Sequence, residues 1–241
     1  MKITYLGNSG FALEHDGALL VIDCFDPKLH ALLKEESLDS MRSVTALVSH
    51  AHGDHYSPDI WSLKNARFAV GFDVPAPMGV PRLRPGQKAL PNGMQVTAYG
   101  STDEGVSFHV LWDGISIFHA GDLNDWHWRD EGCEAYAKEA EGRFLQELAR
   151  IEKHVSHIDI AFFPVDPRMG SDYYRGAVLF AKTLHPVRLL PMHFGRAFRP
   201  PEAFFEQIAP LTTLVQPPAV DKNVLCPMSA ASGCRFDGLR P

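Results

Sequence analysis

Apolar and polar positions divide the chain into two halves of different rhythm. Short β-like runs dominate the first half, at residues 3–6, 11–14, 18–23, 45–49, 66–70 and 95–98, and each is closed by Gly or by Asp and Asn turns. That punctuation predicts hairpins and a meander. Helical signals are sparse there: 28–36 and 58–64 are the candidates, the second introduced by Ser57 as an N-cap with Pro58 in the first turn.

Runs 106–112 and 115–119 then flank Asp113-Gly114, the dipeptide of a two-residue hairpin turn. Residues 133–154 form the longest helical candidate, with Phe144, Leu145, Leu148 and Ile151 near one face. Strand and helix alternate after it, through 159–165, 173–184, 187–192 and 201–208. An α/β fold follows from this order. The stretch 216–241 is rich in Pro, Gly and Ser and reads as a wrapping or partly disordered tail.

Composition narrows the class without naming a chemistry. With 241 residues, 45% hydrophobic and 22% charged, the chain can bury a sizeable core and is expected to form a single domain over 1–241. A formal net charge of -6, with no basic stripe, argues against a nucleic-acid partner. No apolar run is long enough for a bilayer, and residues 1–7 open directly as a strand. A cytoplasmic protein with no membrane partner is therefore expected. The four cysteines are widely spaced and form no C-x-x-C, which predicts reduced thiols.

The chemistry lies in His50-Ala51-His52-Gly53-Asp54-His55, which follows the apolar run 46–48. His50 and His52, two apart at a strand end, share a side of extended backbone and can chelate one ion. Gly53 lets the chain turn sharply, so that Asp54 and His55 offer two further ligands to a neighbouring position. Nitrogen and oxygen donors of this kind suit zinc, iron or manganese.

This hexapeptide resembles the H-x-H-x-D-H motif of the metallo-β-lactamase superfamily. Other elements of that resemblance follow in order: Asp23 after the run 19–22, Gly121-Asp122 after 115–119, and Met192-His193-Phe194-Gly195 after 187–190. The opening 3–11 is similar to the ascorbate-phosphate lactonase-like branch, which commonly carries a histidine where this chain has Asn8. The resemblance implies a four-layer αββα sandwich and one or two divalent transition-metal ions, zinc first, with manganese or iron as alternatives. It places one ion on His50 and His52, the other on Asp54, His55 and His193, with Asp122 bridging and Asp23 orienting the metal loop.

One family element is missing. Where the superfamily supplies a third histidine to the first ion, residues 100–108 contain none. Asp103 is the nearest replacement and would make the site harder. His127, between Trp126 and Trp128, is the other candidate, as a ligand, as an acid or substrate contact in an aromatic-walled pocket, or equally as a partly buried structural histidine. A site whose second ion alone binds tightly is the third option. Asp166, Arg168, Tyr173, Arg175, Arg196 and Arg199 follow strand ends near the metal residues, and Arg168 is taken as a substrate contact. His109 and His119, inside β-like runs, are expected in the core or behind the ligands.

The activity that the resemblance implies is hydrolysis of a small-molecule substrate, a small ester, lactone or phosphoester, by a metal-bound hydroxide, with Asp54 orienting it. Two rivals stand beside it: an iron-dependent redox protein with a separate electron donor, and a metal-binding regulatory module with little catalysis.

Overall fold

The computed structural model describes residues 1–25, 38–195, 197–217 and 223–226. The helix expected over 28–36 and most of the tail 216–241 lie outside them, as does Arg196.

Two seven-stranded mixed sheets make up the described molecule. In the first, β1 (Lys2–Gly7), β2 (Gly10–His15) and β3 (Ala18–Ile22) form an antiparallel meander. The next pairings depart from the expected hairpins: β3 runs parallel to β4 (Ser43–Val48), β4 to β5 (Ala66–Gly71), and β5 to β6 (Arg82–Leu83). Burial explains the change. All five residues of β3 and the last five of β4 are buried, and strands covered on both faces are what parallel sheets require. At the opposite edge β14 (Asn223–Leu225) pairs with β1, so that part of the tail does wrap back onto the sheet.

The second sheet repeats this plan. β7 (Lys88–Ala89), β8 (Gln95–Tyr99), β9 (Ser107–Trp112) and β10 (Ile115–His119) are antiparallel, and β11 (Ile160–Pro164), β12 (Arg188–Met192) and β13 (Thr213–Leu214) continue in parallel from β10. Asp113 and Gly114 both have positive φ, +49° and +82°, the backbone that a tight β9–β10 turn needs.

The sheets meet across the main core, where the Phe11 and Phe162 rings lie 4.2 Å apart. Helices α1 (Glu134–Glu152), α2 (Arg175–Leu184) and α3 (Glu202–Ile208) add Phe144, Leu148, Phe180 and Phe204 to the same cluster. Leu145 is partly exposed, off the buried stripe that the spacing assigned it. A smaller cluster, with Leu19, Val21, Ala46 and Val48, covers the other face of the first sheet beneath Ile60 and Leu63. The helix expected at 58–64 is a 3₁₀ turn, Pro58–Ser62, because Leu63 is already extended; Ser57 caps it, accepting from Asp59 N–H at 3.3 Å. Among the described residues no helix is long and apolar enough to cross a membrane.

This layout gathers the chemistry at one end of both sheets. Asn8 follows β1, Asp23 follows β3, residues 49–55 follow β4, Asp122 follows β10, Asp166 follows β11 and His193 follows β12.

Candidate metal centre

Asp23 organises the base of the site. Its Oδ1 accepts from Ser49 N–H and its Oδ2 from the Ser49 hydroxyl, both at 2.7 Å, and it is fully buried with φ +49°. His55 Nδ1 stands 2.8 Å from the same Oδ2, and since a carboxylate only accepts, that nitrogen carries the proton. The Ser49 hydroxyl has given its hydrogen to Asp23, so at 2.9 Å its oxygen accepts from His50 Nδ1. At the far side His193 Nδ1 donates to Asp166 Oδ2 at 3.0 Å. In the neutral rings all three Nε2 atoms are then lone pairs. An outer partner that sets the tautomer in this way is the usual support for a metal-binding histidine.

Those lone pairs converge. His55 Nε2 lies 3.1 Å from Asp122 Oδ1 without hydrogen-bond alignment, His50 Nε2 lies 3.5 Å from Asp122 Oδ2, and His193 Nε2 lies 3.5 Å from Asp54 Oδ2 and 3.6 Å from Asp122 Oδ1. Among the described residues, His50 Nε2, His55 Nε2, His193 Nε2 and Asp122 Oδ1 are buried without a hydrogen-bond partner. Leaving one such group unpaired costs about 1–3 kcal/mol, and four around one space is the mark of a set that a cation completes. The donors therefore fit a metal. Three groups have ligand atoms within 4.8 Å of one another: His50, His55 and Asp122; Asp54, His55 and His193; and His52, Asp103 and Asp122.

Electrostatics agree with this crowding. Burial alone would lower the His55 imidazolium's pKa, but Asp122 and Asp23 beside it carry it up to about 10. Burial acts the same way on His193, and Asp166 and Asp54 raise it to about 9. Burial pushes the Asp122 carboxyl upward, yet His50 and His55 hold it well below the carboxylate range. His193 keeps Asp54 low as well. In the metal-free protein, protons on His55 and His193 occupy the role a cation would take.

The structure sorts the remaining candidates. Asp103, exposed on the 100–105 loop, comes within ligand range of His52 and Asp122. His127 does not reach the cavity: it is fully buried, its Nδ1 accepts from Arg129 N–H at 3.2 Å and its Nε2 faces Asp172 O at 3.4 Å. Two backbone partners occupy the ring, so of the roles open to His127 the structural one fits and those of ligand and substrate contact do not. Arg168 lines the cavity and grips Asp166 with Nε and Nη2, the shortest contact 2.6 Å. Arg175 pairs with Glu141 and Asp125. His119 is a neutral core group that accepts from Gly121 N–H through Nδ1 and donates to Ser9 O through Nε2.

Other roles show only in three dimensions. Asn8, where the resembled branch commonly carries a histidine, has φ +45° and donates from Nδ2 to Asp54 Oδ2 at 3.0 Å, while its carbonyl accepts from His193 N–H at 3.0 Å. The 100–105 loop is tied to the loop after Asp122 through Thr102, whose hydroxyl donates to Asn124 O at 2.6 Å and accepts from Asn124 N–H at 2.9 Å. Gly105, at φ +66°, rests directly on the metal loop: a Cβ there would meet His50 Cβ and Ser49 O at 2.3 Å.

Above the cluster is a cavity of about 510 Å³, with His52, Asp54, Asp122 and His193 in its wall. Another hollow, about 640 Å³, lies beside the 100–105 loop with Arg84, Tyr99 and Arg150 in its wall; of the grouped donors only Asp103 lines it, and Asp103 lines the smaller cavity as well.

Comparison with known proteins agrees with this geometry. A model of the β-lactamase superfamily domain matches residues 2–131. A UPF0173 metal-dependent hydrolase from Ignicoccus hospitalis is 25% identical over 214 residues, 81% of this chain and 83% of that protein. One from Methylocella silvestris is 35% identical over 79 residues, a match covering 31% of this chain and 33% of the relative. Among solved structures, Igni18, a metallo hydrolase from Ignicoccus hospitalis, superposes with a TM-score of 0.62 at 21% identity, covering 92% of this chain and 97% of that one. CmlA, a diiron β-hydroxylase from Streptomyces venezuelae, gives 0.61 at 10% identity, covering 92% of this chain and 53% of CmlA. The chain belongs to the metallo-β-lactamase superfamily, and by class it is a metal-dependent hydrolase of that superfamily. The two sheets with their helices are the fold of that superfamily.

Proposed function

We propose that this hydrolase cleaves a small ester, lactone or phosphoester, with His50, His55, His193, Asp54 and Asp122 holding one or two divalent cations and His52 with Asp103 completing the second position. The observation that carries the reading is the convergence of three buried, tautomer-fixed Nε2 atoms on the Asp122 carboxylate, His55 and His193 toward Oδ1 and His50 toward Oδ2. Bound cations supply an activated water at neutral pH and polarise a carbonyl or phosphoryl oxygen. His52, Asp103 and Asp122 offer one nitrogen and two carboxylates, a set that favours manganese or iron more than a trihistidine site would.

The chain's own groups do the rest. Water adds to the acyl carbon or phosphorus, the bond to the leaving oxygen breaks, and the proton that water loses must travel to that oxygen. Asp54 is placed to carry it: its side chain is 47% exposed, it lines the cavity, and His193 and Asn8 hold it ionised and in one orientation. Asp23, Ser49 and Asp166 work from behind, fixing the three rings. CmlA shares the fold at 10% identity, which speaks for architecture and leaves its oxidative chemistry with CmlA.

The test is reconstitution. Stripped protein reloaded separately with zinc, manganese or iron is assayed against 4-nitrophenyl acetate, a γ-lactone and bis(4-nitrophenyl) phosphate. Turnover restored by at least one ion, and lost in Asp122→Ala and His55→Ala, supports the reading. Hydrolysis that survives both substitutions overturns it.

A further inference from the structure

The cavity above the metal donors has a wall that hydrolysis of a small neutral ester would not call for. Trp126 and Trp128 are stacked, with their ring planes within 13° and their centroids 6.2 Å apart, so the pair forms one aromatic block in the cavity wall. Trp126 is held in place: its Nε1–H donates to Asp122 O at 2.8 Å, and its ring meets the His193 imidazole edge-on at 5.7 Å. The surface is thus mechanically joined to two of the metal donors.

Two guanidinium groups open onto the same space. Asp166 takes Nε and Nη2 of Arg168, which fixes the plane of the group and leaves Nη1 without a partner among the described residues. Arg143 reaches the cavity from α1, with its side chain 51% exposed and a loose 3.6 Å contact to Glu139 that competes weakly for it. Arg is suited to fork onto carboxylate or phosphate oxygens, and an aromatic face beside it suits a flat ring.

We propose that the substrate is a ring-bearing anion whose flat face lies against the Trp126–Trp128 stack and whose carboxylate or phosphate is taken by Arg168 and Arg143. This presents the scissile bond to the His and Asp cluster beneath. The proposal rests on the hydrolase reading for its reaction but not for its binding step. Selectivity then comes from the rim, while the metal donors set only the chemistry.

The test is calorimetric titration of the metal-loaded protein with phenyl phosphate, benzoate, inorganic phosphate and benzyl alcohol. At least one of the two ring anions should bind tenfold or more tightly than both inorganic phosphate and benzyl alcohol, and the tighter of the two names the anion. Arg143→Gln should weaken that ligand at least fivefold, and Trp128→Leu should erase its advantage over the ringless anion, both with metal content unchanged. Equal binding of benzyl alcohol and the ring anions, or full affinity in Arg143→Gln, overturns the proposal. Hydrolysis of 4-nitrophenyl acetate is followed in parallel. Ring anions that bind as expected to a protein hydrolysing nothing sink the hydrolase reading alone; a protein that hydrolyses neutral esters without preferring ring anions sinks the rim alone.

Discussion

Asn8 holds Asp54 across 46 residues of sequence, its Nδ2 donating to Oδ2 at 3.0 Å and to the main-chain oxygen at 3.3 Å. Hydrogen bonds to a charged group contribute about 1.5–3 kcal/mol. Asn8→Ala should therefore lower kcat roughly tenfold or more by freeing the Asp54 carboxylate, with the metal content of the purified protein unchanged. Asn8→Asp should be worse, because it sets a like charge against Asp54. Steady-state kinetics beside metal analysis checks both.

Asp166 plays the corresponding part for His193. Its own pKa is low, about 2: burial raises it, but hydrogen bonds from His193 and Arg168 outweigh burial. Asp166→Ala removes the acceptor that keeps the His193 proton on Nδ1 and should weaken metal binding about 10- to 100-fold. Asp166→Asn, which can still accept through its amide oxygen, should recover part of the loss. Competition against a chromophoric chelator measures the difference.

Asp103 and His127, the two replacements for the absent histidine, should respond differently to truncation. Asp103→Ala should reduce the number of tightly held ions while leaving the group at Asp54, His55 and His193 loaded. His127→Ala should lower the melting temperature without changing the ion count, since its ring is spent on backbone partners. Titration followed by thermal melting distinguishes the two.

Packing of the 100–105 loop on the metal segment predicts a stability effect. Gly105→Ala places a methyl 2.3 Å from His50 Cβ and Ser49 O at a positive φ, so both strain and overlap oppose it. A loss of about 3 kcal/mol or more is expected, seen as a lower denaturation midpoint, together with weaker metal binding.

Removing the metal should change how stability depends on pH. The folded-state pKa values of His55 and His193 are raised to about 10 and about 9, so their contribution to the metal-free protein is complete below about pH 6.5 and is lost as pH rises through 9 to 10. The loaded protein should behave oppositely over the lower part of that range, because ligands freed of protons bind a cation better. Urea denaturation at several pH values, with and without chelator, tests the sign.

Much of this was legible in the chain and some was not, for physical reasons. His50, His52, Asp54 and His55 are contiguous, so their proximity needs no tertiary knowledge. Asp122 and His193 are ordinary strand-end residues until read beside that motif. The roles of Ser49, Asn8 and Asp166 depend on approaches between distant segments, 27 residues apart in sequence for Asp166 and His193, and no local pattern records them. His127 looked available from its place between two tryptophans, but burial turned its ring toward the backbone. In the fold, β10–β11–β12 followed from alternating strand and helix, whereas β3–β4–β5 did not: continuous apolar runs show a buried strand and leave its direction open.

The convergent donors form a metal centre only if a cation binds among them. An anomalous difference map, collected at the zinc, iron and manganese edges from crystals of loaded protein, tests it most directly. One or two peaks are expected within coordination distance of His50, His55 and His193 Nε2 and of Asp122, with any second peak shared by His52 and Asp103. Full loading conditions with no peak at this cluster, or a peak bound elsewhere on the chain, would contradict it.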